Sequence, residues 1–226
     1  MKKLAFDIGA NVGDATEFLM RNYASVVSFE PNPQLVEGLK TRFQDTNRVT
    51  VTSYAISNKD GEDIFSISSN HTISTLSNNW RLNGRFSNKF DLQSQIKVQT
   101  LTLKKAITKY GVPDYVKIDV EGHEFEVLST LDVVLPDTIF AFEWTEEGED
   151  SIKKIIEHVS KIGYKNFTYQ DGDHIMFENN DGLLYNPIGH ADSLAYWQDY
   201  DTFYDVITKH IDATRRQKWG LIYFKA

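Results

Sequence analysis

Asp7, Gly9, Asn11 and Gly13 lie within one short run, Asp7-Ile8-Gly9-Ala10-Asn11-Val12-Gly13. Glycines at this spacing let the backbone approach a ligand closely. Where such a loop opens a helix, its free N–H groups favour an anionic group. Glu30 ends the next apolar run, where a carboxylate can accept hydrogen bonds from both hydroxyls of a ribose. Together these residues point to an adenosine-containing ligand. A second group, Lys117, Asp119, Glu121 and His123, follows an apolar run in the middle of the chain. Charges at the end of a central strand are costly unless they are used or paired. His123 is the better base of the set by intrinsic pKa, since imidazole titrates nearest neutrality.

Apolar runs and helical patterns alternate from the first residues onward, which is the signature of an α/β fold with helices on both faces of a mostly parallel sheet. Leu4 to Ile8 reads as a buried strand, followed by a helix from about Asp14 to Arg21 and a strand from Val26 to Phe29. Asn32 caps a helix whose first residue is Pro33. Val49 to Tyr54, Tyr115 to Asp119 and Thr138 to Glu143 are further strands, and helices run from about Leu103 to Tyr110, from His123 to Leu131, and from Ser151 to Ile162. The alternation places the glycine loop in the carboxyl-end crevice, where open α/β sheets bind ligands. It also sends Lys117, Asp119 and Glu121 to one side of their strand. Asn166 to Tyr169 and His174 to Glu178 flank an Asp171-Gly172 pair, which predicts a C-terminal antiparallel hairpin. One domain over 1–226 is expected, with 64–101 and 180–226 as cap or substrate-site elements.

The 226 residues contain no cysteine, which excludes disulfides, thiolate metal sites and a cysteine nucleophile. Twenty-four Lys and Arg against 32 Asp and Glu, with no long basic cluster, argue against nucleic acid as a partner. No apolar stretch approaches the roughly 20 residues of a membrane helix, and no signal-peptide core follows Met1. A soluble, cytoplasmic protein with no membrane partner is expected. Asn70-His71-Thr72 and Asn166-Phe167-Thr168 match the glycosylation pattern, and without a secretory signal they read as chance.

Two adenosine ligands compete for the glycine loop, a nicotinamide dinucleotide and S-adenosylmethionine. The dinucleotide fingerprint needs glycine where this chain has Asn11. A carboxylate at Asp7 suits a ligand with an α-ammonium and a sulfonium and disfavours a diphosphate. The chain resembles the FkbM family of S-adenosylmethionine-dependent methyltransferases in four blocks: Phe6 to Gly13, Phe29-Glu30-Pro31-Asn32, Ala55-Ile56-Ser57 with Asp60-Gly61, and Val116 to Glu124. The resemblance implies a Rossmann-like class I methyltransferase fold with a seven-stranded sheet, and methylation of a hydroxyl on a sugar or glycoside. A non-sugar metabolite as acceptor, a non-catalytic binding module and an NAD-linked oxidoreductase are the alternatives.

By position, the resemblance implies that Asp7, Gly9, Ala10, Asn11 and Gly13 surround the methionine end of the cofactor. Glu30, with Pro31, would hold the ribose, Ala55 and Ile56 would lie against the adenine, and His71, Ser74 and Thr75 would close over it. Asp119 is assigned both to the cofactor and to the catalytic set with His123, Glu121 and Lys117. Asp119 with Glu143 would form the core of a Mg or Mn site. Plainer readings stand beside these. Lys117 pairs with Asp119 or Glu121, His123 merely begins a helix, and Glu146, Glu147, Glu149 and Asp150 meet a helix dipole. Trp80, Trp144 and Trp197 are expected near the carboxyl-end crevice, as sugar-facing or core aromatics. The first strand starts too early for the amino-terminal helices that cover the cofactor in many methyltransferases, so a fused domain or a second subunit is a further expectation.

Overall fold

The computed structural model describes residues 2–84, 86–145, 149–171, 176–179, 182–185, 197–213 and 219–226. Its core is a seven-stranded sheet in the order β3-β2-β1-β7-β8-β12-β9. The strands are β1 (Lys2–Ile8), β2 (Tyr23–Phe29), β3 (Val49–Thr52), β7 (Tyr115–Ile118), β8 (Ile139–Thr145), β9 (Asn166–Asp171) and β12 (Trp219–Lys225). The first five of these pair in parallel, while β12 runs antiparallel to both of its neighbours.

The strands inside the two edges are buried on both faces over most of their length. Phe6, Ile8, Phe29, Val116, Ile118, Phe140 and Phe142 are at most 1% exposed in one layer, and Ala5, Val26, Tyr115, Ala141 and Tyr223 line the other. Burying one large apolar side chain contributes about 1.5–3 kcal/mol, so these two layers dominate the stability. Against the sheet pack α1 (Asp14–Asn22), α2 (Pro33–Arg42), α4 (Leu103–Tyr110), α5 (Glu124–Leu128), α6 (Glu149–Ile162) and, after the short α3 (Asn78–Asn83), the last helix α7 (Tyr200–Ala213). Helix starts follow local chemistry. Asn32 Oδ1 accepts from the Gln34 N–H at 3.1 Å with Pro33 in the first turn, and Thr102 Oγ1 accepts from the Lys105 N–H at 3.2 Å.

Three expectations need correction. The strand expected over Val49 to Tyr54 stops at Thr52, because the Tyr54 N–H donates to Thr52 Oγ1 at 3.2 Å and this turn ends the ladder. The chain then enters a second sheet of three strands, β4 (Ala55–Ser57), β5 (Gly61–Ser68) and β6 (Leu92–Thr102), ordered β4-β6-β5. Second, among the described residues β9 does not pair with Met176–Asn179. Its antiparallel partner is β12, whose Leu221 to Phe224 are nearly fully buried. Met176–Asn179 forms β10, which pairs with β11 (Gly182–Tyr185) away from the main sheet. His174 lies outside the described residues, as do Glu146 and Glu147. Third, the end of the 180–226 tail, expected as a cap or substrate-site element, adds an interior strand to the main sheet next to the β9 edge. It accommodates Trp144 through Gly220, where an added Cβ would stand 2.0 Å from the Gln170 carbonyl oxygen and 2.7 Å from Trp144 Nε1.

Candidate active site

The carboxyl ends of β1, β2, β7 and β8 open into a cavity of about 580 Å³, within the range that encloses a ligand of cofactor size. Gly9, Ala10, Asn11, Glu30, Pro31, Ala55, Ile56, Ser74, Lys117, Asp119, Glu121, His123 and Glu143 all line it, as the sequence predicts. Asp7 and Gly13 do not. Asp7 is fully buried beneath the loop, accepting from Thr16 Oγ1 at 2.6 Å, and it reaches ligands only through its neighbours. Gly13 begins α1 with φ 97°, and a Cβ there would collide with Leu39 and Phe43 at 2.7 and 2.8 Å.

The loop itself is held by close backbone contacts. A Cβ on Gly9 would lie 1.8 Å from the Asp119 carbonyl oxygen, so glycine is required where the β1 and β7 loops cross. Asn11 takes a left-handed φ of 49°, which asparagine tolerates better than most side chains. Both Glu30 oxygens are anchored, Oε2 by the Asn11 N–H at 2.9 Å and Oε1 by the Asn32 N–H at 2.8 Å. Each oxygen keeps a lone pair for a further donor. Burial pushes the Glu30 carboxyl up to about 7, against those two amides. Asn11 lines the cavity, and its Oδ1 is buried without a hydrogen-bond partner among the described residues. An orphaned acceptor beside a glycine loop and a ribose-type carboxylate fits S-adenosylmethionine, whose α-ammonium supplies donors.

Lys117 is 4% exposed and lies between two carboxylates, 3.5 Å from Asp7 Oδ1 and 3.2 Å from Asp119 Oδ2, and it also donates to the Gly9 carbonyl at 3.3 Å. Beyond Ile118 the strand alternation ends. Glu121 and Gly122 both take left-handed backbone, at φ 54° and 80°, and this turn brings Glu121 to Asp119 and Glu143. One carboxylate oxygen from each of these three half-buried residues falls within 4.8 Å of the others.

The turn is clamped by Glu124, a residue the sequence reading quotes in its motif without giving it a task. Glu124 Oε1 accepts from the Val120 N–H at 3.0 Å and the Gly122 N–H at 3.3 Å. Burial first, then Asp119, pushes this carboxyl up to about 7. A raised folded pKa means that the group's stabilising contribution is complete below its usual value of about 4.5 and is lost as pH rises through about 7. Urea unfolding at pH 5 and pH 8 is therefore expected to show that Glu124→Gln reduces the loss of stability between the two by roughly 2–3 kcal/mol. An unchanged difference would show that the carboxyl is not perturbed in this way.

His123 faces the cavity, but both ring nitrogens have neighbours. Nε2 lies 2.9 Å from the buried Ser57 hydroxyl, and Nδ1 lies 3.8 Å from Glu126. Burial lowers its pKa, so the ring is neutral near pH 7 and also stands at the start of α5.

The cavity roof comes from the second sheet and its loops. His71, Thr72, Ser74, Phe65, Leu76 and Phe86 line it, while Thr75 Oγ1 donates to the Glu121 carbonyl at 2.8 Å and ties the roof to the carboxylate turn. Phe65, Leu76, Phe86 and Trp219 are lining residues that the sequence reading passes over. Trp219 could have been found only by placing its strand beside β8. Trp144 is 1% exposed in the core beneath α7. Trp197 is not at the crevice. Lys225 Nζ sits 4.2 Å from its ring centroid at the far end of β12, so it stacks on that strand's exit.

A parallel sheet closed by an antiparallel strand inserted beside β8, with a glycine loop and an acid at the end of β2, is the class I methyltransferase fold. The sequence profile of the methyltransferase FkbM domain matches residues 7–166, and the chain belongs to that family. Hexuronic acid methyltransferase AglP of Haloferax volcanii is 28% identical over 152 residues, which are 64% of this chain and 56% of that protein. The chain thus spans little more than half the length of this curated relative. Among solved structures, precorrin 8W decarboxylase from Methanobacterium thermoautotrophicum aligns with TM-score 0.48 at 13% identity, covering 100% of this chain and 82% of that one. A methyltransferase of Streptococcus mutans described in complex with SAH aligns with TM-score 0.43 at 9% identity, covering 98% and 86%. Among the described residues, no helix is long and apolar enough to cross a membrane.

Proposed function

We propose that this chain methylates a hydroxyl group of a sugar, in a glycan or glycoside. The observation that carries this reading is the convergence of Asp119, Glu121 and Glu143 in the lining of the cavity that Glu30, Ala55 and Ile56 also line. Such a cluster accepts hydrogen bonds from an acceptor hydroxyl and aligns its oxygen. The hexuronic acid methyltransferase similarity supports a sugar. When bound, S-adenosylmethionine supplies an activated methyl on a sulfonium. Glu30 holds the ribose, Asn11 and the glycine loop hold the methionine end, and the roof residues exclude water. A carboxylate of the cluster would take the proton of the acceptor hydroxyl as its oxygen gains the methyl group. With His123 Nε2 engaged by Ser57, the carboxylates are the better placed bases. Lys117 Nζ, 3.2 Å from Asp119 Oδ2, positions that carboxylate.

The mutual spacing of the three carboxylates favours a second form of this reading, in which they hold a divalent cation that polarises the hydroxyl. The acceptor is expected to be neither nucleic acid nor a membrane.

Incubation with S-adenosylmethionine and a panel of glycosides, with and without chelator, tests the reading. Glycoside-dependent formation of S-adenosylhomocysteine and an O-methyl sugar of the matching mass is expected, and loss of turnover on chelation would select the cation form. S-adenosylhomocysteine formed only with amine or nucleic-acid acceptors would overturn the sugar assignment. Calorimetry is expected to show S-adenosylhomocysteine binding and no NAD binding.

A further inference from the structure

Beside the cofactor cavity lies a second, smaller one of about 190 Å³. Glu143 lines both, so the two spaces share a wall at the carboxylate cluster. The smaller cavity opens between α3 and the start of α6. At its mouth, exposed Asn83 donates through Nδ2 to Asn79 Oδ1 at 2.8 Å. Thr145, Ser151 and Trp80 form part of the wall. Trp80 is held firmly. A Cβ on Gly122 would come within 2.8 Å of it, and one on Gly84 would come within 2.6 Å, so both glycines leave room for it against the carboxylate turn.

This lining has a distinct chemistry. Carboxamides, hydroxyls and the carboxyl groups of Glu124 and Glu143 offer donors and acceptors in mixed array, next to the aromatic side chains of Trp80, Phe142 and Trp144. No lysine, arginine or histidine lines it among the described residues. A ligand carrying a phosphate or carboxylate would meet Glu143 and Glu124 with no cation to offset them, whereas a neutral polyol can both donate to the carboxyl groups and accept from the carboxamides. The volume is below the roughly 300 Å³ at which drug-sized ligand sites begin, so it suits one ring rather than a second nucleoside.

We propose that this second cavity is the subsite for the sugar ring that neighbours the one methylated, so that the acceptor is at least a disaccharide and its neighbouring ring is uncharged. The inference rests on the sugar-methylation reading and deepens it. The acceptor hydroxyl is held by the carboxylate cluster in the larger cavity, the glycosidic bond passes over the carboxyl end of β8, and the next ring enters between Asn83 and Ser151. This geometry makes the enzyme selective for a linkage, because only some linkages turn the chain across that edge.

The test compares methyl glycosides with neutral disaccharides that contain the same acceptor ring, and with disaccharides whose second ring is a uronic acid. For the full chain, kcat/KM is expected to be about tenfold or more higher for the best neutral disaccharide than for its methyl glycoside. Filling the cavity from its exposed rim, with Ser151→Trp and separately Asn83→Leu, is expected to bring that ratio close to one. S-adenosylhomocysteine affinity and turnover of the methyl glycoside should stay as in the parent. Equal use of methyl glycosides and disaccharides by the parent chain would overturn the subsite while leaving sugar methylation standing, as would a ratio that survives both rim variants. Preference for the uronic acid disaccharide would overturn the assignment of a neutral ring. If S-adenosylhomocysteine binds but no glycoside of any length is methylated, the sugar reading falls and the subsite falls with it.

Discussion

Glu30→Ala is expected to weaken S-adenosylhomocysteine binding by about 10²- to 10⁴-fold in calorimetric titration. Hydrogen bonds to a charged group contribute about 1.5–3 kcal/mol each. Losing two of them to the ribose therefore costs roughly 3–6 kcal/mol, with about 1.4 kcal/mol to each factor of ten. The substitution also frees the Asn11 and Asn32 amides that the carboxylate anchors, so the glycine loop loses its shape at the same time. Glu30→Gln keeps an acceptor for one amide and is expected to fall between the two. The effect should lie in cofactor affinity, with the affinity for the sugar acceptor little changed. Equal affinity in parent and Glu30→Ala would sink the ribose assignment.

Lys117→Met should lower stability by about 3–5 kcal/mol in urea unfolding, the usual cost of leaving a buried charge without its partner. Asp7 is fully buried and Lys117 nearly so, so solvent cannot replace the missing ammonium. Asp7→Asn together with Lys117→Met removes charge of both signs and is expected to recover part of the loss, since the Asp7 contact with Thr16 can persist with an amide. A loss below about 1 kcal/mol for the single variant would match an exposed pair instead, and would mean that the ammonium is not the counter-charge for Asp7.

Much of this site is written locally and so is legible in the sequence. The glycine loop, the Asn32 cap with Pro33, the acid after β2 and the charged turn after β7 each depend on neighbours within a few residues, and all are found where the spacing places them. Long-range pairing is less legible. Nothing near Trp219 says that its strand inserts between β8 and β9, and the nearby Asp171-Gly172 turn signal draws attention to a competing hairpin. The same gap hides the cavity position of Trp219 and misplaces Trp197, which follow from β12 running antiparallel. Period-two alternation also fails at Glu121, because two successive left-handed residues end the strand rule there. The carboxylate cluster gains its third member by that route. Asp7 shows a different limit. Its residue type and position suggest contact with ligand, but whether a carboxylate points into a cavity or beneath it is decided by a partner on another helix, Thr16.

The insertion of β12 also bears on how the protein is made. During synthesis, β8 and β9 emerge well before the strand that separates them, and each carries an open backbone edge until Trp219 to Lys225 leaves the ribosome. Unpaired edges of apolar strands are templates for wrong partners, and the antiparallel β10–β11 ribbon is made in the interval. Sheet closure is therefore a late event that links residues far apart in the chain, a topology associated with slow folding. Nascent chains stalled before β12 should need protection from aggregation that released chains do not.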